Sequence, residues 1–308
     1  MTAPVVARPV LLTGASGTLG RLLAERLARE GRALVLTDFV EPDYALPAGA
    51  RFMAADLADR EAVLRLGDDY SAIVHFGAVS TERDFAEVFG ANIAGAHNVF
   101  DLARTSGARV VFASSNHAIG FHRRDVKLAE DCDLRPDGYY GLSKAYGELL
   151  ARLYWDKHGL ESLSLRIGSC LERPTELRHL STWLSFDDLV RLVEAGLAHP
   201  ALGCRIVWGV SANSRAWWVP NDEIGTAVRD DAERFADAVV AGAAEADPVS
   251  SRYQGGTFCA SGYDREEFSP QELFGWRGGR ERQPPAGRIL SRAAASPMGA
   301  GTRRNKGA

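Results

Sequence analysis

The run Val10-Leu11-Leu12-Thr13 passes directly into Gly14-Ala15-Ser16-Gly17-Thr18-Leu19-Gly20, and Leu19, Leu22, Leu23 and Leu27 then recur at helical spacing before Gly31. A short apolar run reads as a buried strand, and the leucine pattern as an amphipathic helix with a glycine stop. Strand, glycine loop and helix in this order form the context that a dinucleotide-binding fingerprint requires. The glycines let the backbone approach a pyrophosphate, and the helix N-terminus offers free N–H groups and the positive end of its dipole. The next strand, Ala33 to Thr37, ends at Asp38. A carboxylate there, roughly twenty residues past the glycines, is placed to bond the adenosine ribose hydroxyls and repels a 2′-phosphate. Phe39 follows, where an arginine would welcome that phosphate. The pattern favours NAD over NADP.

The alternation continues. Arg51 to Ala55 reads as a third strand closed by Asp56-Leu57, with Asp59 as the cap of a short helix. Ala72 to Phe76 is a fourth strand leading into Gly77-Ala78-Val79-Ser80, and His75 within it reads as a core histidine. A long helix is expected from about Phe85 to Ser106, with Val88, Phe89, Ile93, Val99 and Leu102 inward and Asn92 polar among them. Val110 to Ala113 is a fifth strand running into Ser114-Ser115-Asn116-His117, and Ser162 to Gly168 is a sixth. This succession predicts an α/β fold: a Rossmann doubly wound parallel sheet with ligands at the carboxyl ends of its strands. Beyond Ser169 the pattern loosens. It suggests a helix capped at Ser185, a strand from Arg205 to Val210 and a last helix from roughly Asp230 to Ala243. The expected organisation is an NAD-binding domain over residues 1–168, a small substrate lobe over 169–263 interleaved with it, and a basic low-complexity tail over 264–308. From Gly275 onward it holds eight Arg and Lys, Arg277 to Lys306, against Glu281 alone, without apolar periodicity, and reads as disordered.

Tyr140 and Lys144 stand four apart in Asp137-Gly138-Tyr139-Tyr140-Gly141-Leu142-Ser143-Lys144, hence on one face of a helix. A free phenol has a pKa of about 10 and is a poor base at neutral pH. Lowering it to about 7 takes roughly 4 kcal/mol. A unit positive charge at about 4 Å supplies that at an effective dielectric near 20. Lys144 is one such charge and an oxidised nicotinamide ring another. The pair therefore suits removal of a hydroxyl proton while hydride leaves for a cofactor.

The net charge of −4 gives no general affinity for nucleic acid or anionic membrane. No apolar run reaches membrane-spanning length, and Met1-Thr2-Ala3-Pro4 lacks the features of a signal peptide. Cys132, Cys170, Cys204 and Cys259 are widely spaced, which suits free thiols in a reducing cytoplasm and offers no metal site.

In this order the motifs resemble the extended short-chain dehydrogenase/reductase superfamily. Within it, Ala113 to Gly120, Arg135 to Lys144, Arg166 to Cys170, Leu180 to Trp183, Val207 to Gly209 and Tyr253 to Phe258 resemble the NAD-dependent uronate dehydrogenases over about residues 9–260. The resemblance implies oxidation of the C1 hydroxyl of a cyclic hexuronic acid, D-galacturonate or D-glucuronate, to an aldarolactone with NAD as acceptor. It implies catalysis by Tyr140, Lys144 and Ser115. Cofactor contacts fall to Gly14, Ser16, Gly17, Thr18, Leu19, Gly20, Asp38, Asp56, Leu57, Phe76, Gly77, Ala78, Ile167 and Cys170, besides Tyr140 and Lys144. Substrate contacts fall to Ser80, Ser115, Asn116, His117, Tyr140, Ser169 and Arg178, with the Arg178 fork on the sugar carboxylate. A homo-oligomer is also implied. The stretch from Ser261 onward departs from the family. Two other readings stay open: an NAD-holding sugar-nucleotide epimerase or dehydratase, which the short segment after Ser169 disfavours, and a non-catalytic NAD sensor, which retention of Tyr140, Lys144 and Ser115 disfavours.

Overall fold

The computed structural model describes residues 8–220, 224–225, 228–242 and 247–264. In chain order, the elements are β1 (Val10–Thr13), α1 (Thr18–Arg29), β2 (Leu34–Asp38), β3 (Arg51–Ala54), α2 (Arg60–Leu64), β4 (Ala72–His75), α3 (Phe85–Val88) and α4 (Gly95–Ser106). There follow β5 (Arg109–Ser115), α5 (Tyr139–His158), β6 (Ser162–Ile167), β7 (Ser169–Cys170), α6 (His179–Thr182), β8 (Trp183–Leu184), α7 (Phe186–Ala198) and β9 (Cys204–Gly209). Seven strands form one parallel sheet in the order β3-β2-β1-β4-β5-β6-β9. The chain winds outward from β1 through β2 to β3, then returns to place β4 on the other side of β1. That reversal opens a crevice at the strands' carboxyl ends.

The central strands β1 and β4 are buried along their whole length because both sheet faces are covered. Successive side chains point to opposite faces, so neighbours in one strand serve different cores. Leu12, Leu36, Val74 and Val111 pack with Leu23 and Leu27 of α1 and Leu189 and Val193 of α7. Leu11, Val35, Ile73 and Val110 pack with Val99 and Phe100 of α4 and Leu150 and Tyr154 of α5. The described residues through Tyr263 form one compact unit. Within it, the segments after β6 are held by two smaller clusters: Ile119, Leu128, Trp208 and Trp218, and Leu180, Trp183, Ala232 and Val239.

Asp59 caps α2 and Ser185 caps α7, as their sequence positions predict. The expected long helix from Phe85 to Ser106 is interrupted by a π-helical turn at Phe89–Ala94. The extra residue in that turn rotates the preceding face, so Phe89 is 48% exposed rather than in the core. Ile93 is only half-buried. The helix expected from Asp230 is a 3₁₀ turn at Ala232–Phe235 followed by a short α-helix at Ala236–Ala241. Its expected end at Ala243, and the expected basic tail, lie outside the described residues. His75 is buried in β4, with Nδ1 2.8 Å from Thr13 Oγ1, and burial pushes its pKa down to about 3.

Candidate active site

The glycine loop is shaped by close backbone approach. Gly14 has φ +74°, and a Cβ there would lie 2.7 Å from the backbone of Phe76 and Gly77 at the end of β4. A Cβ at Gly20 would lie 1.9 Å from the Gly14 carbonyl oxygen. These two glycines let β1, β4 and α1 meet at the switch point. Gly17 precedes α1 without a side-chain cap, and the first turn holds no acidic residue. The N–H groups there remain suited to an anion. At the end of β2, Asp38 Oδ2 accepts from Ser16 N at 3.0 Å and Oδ1 from Phe39 N at 2.8 Å. The carboxylate is thus fixed beside the loop.

A cavity of about 800 Å³ runs from this loop across the sheet. Every residue expected to touch the cofactor lines it: Gly14, Ser16, Gly17, Thr18, Leu19 and Gly20 of the loop, Asp38, Asp56 and Leu57, Phe76, Gly77 and Ala78, Tyr140, Lys144, Ile167 and Cys170. A glycine cradle, an open helix terminus and a carboxylate over this length fit a dinucleotide. Ser80, Ser115 and His117 line the same cavity.

Ser115 ends β5, and Tyr140 and Lys144 lie in the first two turns of α5, all three buried. The Lys144 ammonium is 5.5 Å from the centre of the Tyr140 ring and 5.2 Å from that of Phe112. Burial pushes the Tyr140 phenol up to about 12, the Ser115 hydroxyl working against that shift and Asp137 with it. Burial alone pulls Lys144 down to about 8. The expectation set two positive charges beside the phenol, Lys144 and an oxidised nicotinamide ring, and in this dry site desolvation outweighs the ammonium alone.

The remaining expected substrate residues divide. Asn116 is buried beside Ser115, and its Nδ2 has no hydrogen-bond partner among the described residues. Ser169 and Arg178 do not line the main cavity but meet each other, with Arg178 Nη1 donating to Ser169 Oγ at 3.3 Å. Arg178 Nη2 donates to the Gln254 carbonyl at 3.0 Å, and its buried Nε has no partner among the described residues. Burial holds this guanidinium below its ordinary pKa, opposed by Glu176 and Asp137. The β7–β8 pairing of Ser169 with Trp183 brings the Arg178 segment back towards the end of β6.

Sequence reasoning missed several supports. Glu82 accepts from Tyr139 N at 2.8 Å and Tyr140 N at 2.9 Å, capping α5 where Gly138 offers no side chain. Asn92 binds both backbone groups of Val79 and the Ser143 hydroxyl, tying the π turn to α5 and to the segment leading to Ser80. Asp137 holds His117, and Phe258 stacks on the His117 ring at 3.9 Å. The isolated polar Asn92 was the one visible signal. Glu82 and Phe258 lie far along the chain from what they touch.

Residues 10–173 match the NAD dependent epimerase/dehydratase family. The chain is 46% identical over 257 residues to a uronate dehydrogenase of Pseudomonas putida, covering 82% of this chain and 96% of that protein. It is 44% identical over 255 residues to the uronate dehydrogenase of Agrobacterium fabrum, covering 81% and 96%. A crystal structure of glucuronic acid dehydrogenase from Chromohalobacter salexigens superposes with a TM-score of 0.79 at 40% identity, over 83% of this chain and 97% of that one. A mutant uronate dehydrogenase from Agrobacterium tumefaciens complexed with NAD superposes with a TM-score of 0.79 at 43% identity, over 82% and 97%. A UDP-galactose 4-epimerase shares the fold alone, at 23% identity and a TM-score of 0.56. With its glycine cradle, its Ser115/Tyr140/Lys144 cluster and these relatives, the chain belongs to the uronate dehydrogenases of the NAD dependent epimerase/dehydratase family.

Proposed function

We propose that the protein oxidises the C1 hydroxyl of cyclic hexuronic acids, D-galacturonate and D-glucuronate, to aldarolactones with NAD. The observation that carries this is the convergence of Ser115, Tyr140 and Lys144 in the cavity that begins at the glycine loop and Asp38. NAD supplies the hydride acceptor and a positively charged ring. Tyr140, as phenolate, takes the C1 hydroxyl proton as C1 gives up hydride, and the C1–O bond becomes the lactone carbonyl. Ser115 orients that oxygen, and Lys144 adds positive charge beside the phenol. Buried Arg178 offers a fork for the sugar carboxylate, and Ser80, Asn116, His117 and Ser169 offer hydrogen bonds to the ring. The four free thiols suit a reducing cytoplasm. Leu142, Leu149 and Leu153, exposed along α5, suit self-association.

The test is NADH formation from NAD with galacturonate and glucuronate, against galactose and NADP as controls. Rapid turnover with the two acids and little with either control is expected. Tyr140→Phe should keep NAD binding and lose about 10²–10⁴-fold in kcat, the usual worth of a positioned base. Turnover by Tyr140→Phe near that of the unmodified enzyme would remove Tyr140 from the chemistry.

A further inference from the structure

Asp137 lies two residues before α5, with its side chain fully buried. Its Oδ2 is 2.7 Å from His117 Nδ1, and its Oδ1 has no hydrogen-bond partner among the described residues. Three glycine backbones enclose the carboxylate. A Cβ at Gly120 or at Gly255 would lie 1.9 Å from Oδ2, and one at Gly141 would lie 2.9 Å from Oδ1. None of the three has a positive φ, so backbone conformation does not demand glycine there. At Gly120 and Gly255 the missing side chain leaves room for this carboxylate, and at Gly141 it leaves room first for the His117 carbonyl oxygen, 2.3 Å from such a Cβ, and then for Oδ1. The three come from separate parts of the chain: the turn after β5, the first turn of α5, and the segment before Thr257–Ala260. Cys259 Sγ, at 3.9 Å from Oδ2, is a weak second neighbour.

The His117 ring is clamped as well. Phe258 stacks on it at 3.9 Å and 17°, and the Tyr140 ring stands edge-on at 5.7 Å. Because Nδ1 faces Asp137, the other ring nitrogen is the one left for a ligand in the cavity that His117 lines. We propose that Asp137 is a positioning residue that fixes His117 with its proton on Nδ1, so that Nε2 meets the substrate as a hydrogen-bond acceptor for a sugar hydroxyl.

A carboxylate can only accept, so it selects the Nδ1–H form of a neutral imidazole. The negative charge behind the ring also disfavours a substrate carboxylate at Nε2. The sugar acid is then oriented with its carboxylate towards Arg178 and a hydroxyl towards His117. This orientation rests on the proposed activity, whereas the tautomer does not. The competing state is a protonated Asp137 that donates to Nδ1 and leaves the proton on Nε2.

The test is ¹⁵N NMR of the histidine rings in the full chain, at a pH where the imidazoles are neutral. A His117→Gln difference spectrum assigns the ring. The Nδ1–H tautomer is expected in the unmodified protein, and its loss, wholly or in part, in Asp137→Asn. That variant should also lose about ten- to a hundredfold in kcat/KM for galacturonate, the scale of one charge-assisted hydrogen bond, with KM for NAD unchanged. An Nε2–H tautomer in the unmodified protein would overturn the proposal even if Asp137→Asn failed to fold. So would Asp137→Asn with an unaltered tautomer and unaltered kcat/KM. Absence of turnover with any uronate would instead defeat the activity and leave the tautomer result standing.

Discussion

Lys144 and Arg178 are buried cations, and each contributes at a cost. The Lys144 pKa falls from 10.5 to about 8 on burial, so between those values the unfolded chain binds the proton that the fold lacks. Stability from this group rises as pH climbs from about 8 to 10.5. Below about 8 the fold carries the full cost, roughly 3 kcal/mol at about 1.36 kcal/mol per pKa unit. Tyr140 runs the opposite way: the fold keeps a proton that the unfolded chain loses between 10 and about 12, so stability falls across that window. In the NAD-free protein, Lys144→Met should melt above the unmodified chain near neutral pH, and the gap should narrow as pH approaches 10.5. A gap that is flat with pH would show that the ammonium carries no such cost. For Arg178→Ala, kinetics is the readout. KM for uronates should rise about tenfold or more with a smaller change in kcat, because a charge-assisted pair is lost. Arg178→Lys should recover little, since an ammonium lacks the planar fork. Unchanged KM in Arg178→Ala would place the carboxylate elsewhere.

At the scale of elements, α5 carries Tyr140 and Lys144 and packs against β5. The two approach closely because Gly147 has no side chain: a Cβ there would lie 2.2 Å from the Phe112 ring. Phe112 is 2% exposed and packs edge-on to Phe100 at 6.1 Å, so it has nowhere to retreat. It also meets the His75 ring at 5.7 Å and the Lys144 ammonium. Gly147→Ala should therefore cost about 1–3 kcal/mol by overpacking and weaken turnover through a displaced Lys144. Arg152→Ala, five residues on but exposed, should change stability by less than about 0.5 kcal/mol. Thermal melts of the two variants side by side decide this, and equal melting temperatures would refute the packing argument. Behind the helix, Glu148 and Arg166 form a buried pair at 2.9 Å, and Ser114 Oγ donates to the same carboxylate at 2.6 Å. One polar unit thereby ties β5, α5 and β6 next to Ser115.

For the whole molecule, the dinucleotide cavity is lined by residues from Gly14 to Cys170, so a bound ligand couples most of the sheet. NAD at about a hundred times its Kd should stabilise the fold by about 2.7 kcal/mol. For a chain of this size that is a melting rise of roughly 5 °C or more. NADP at the same concentration should give a clearly smaller rise, because Asp38, fixed by Ser16 and Phe39, opposes a 2′-phosphate. Equal shifts with the two cofactors would defeat that assignment.

The parallel sheet was legible because its signals are local: an apolar run of four residues, a glycine loop and a leucine stripe each depend on neighbours in the chain. The same holds for Asp38 at the end of β2 and for the Tyr140–Lys144 spacing on α5, where one helical turn guarantees proximity. Phe89 was misplaced because a π turn changes the helical period, and nothing in the residues that form it announces the extra one. Glu82 on the α5 terminus, Phe258 on His117 and Gly255 beside Asp137 join positions separated by tens of residues or more. The direction of the Tyr140 pKa was also a tertiary outcome. It depends on how completely water is excluded, and burial is a property of the packed molecule. The sequence by itself therefore determined the fold and the cofactor class, and it named the side chains proposed to react, because those follow from local periodicity and residue chemistry. Only the tertiary structure decided how His117 is oriented, where Arg178 is held and how dry the phenol is, because each of these is set by groups that meet only when the sheet closes.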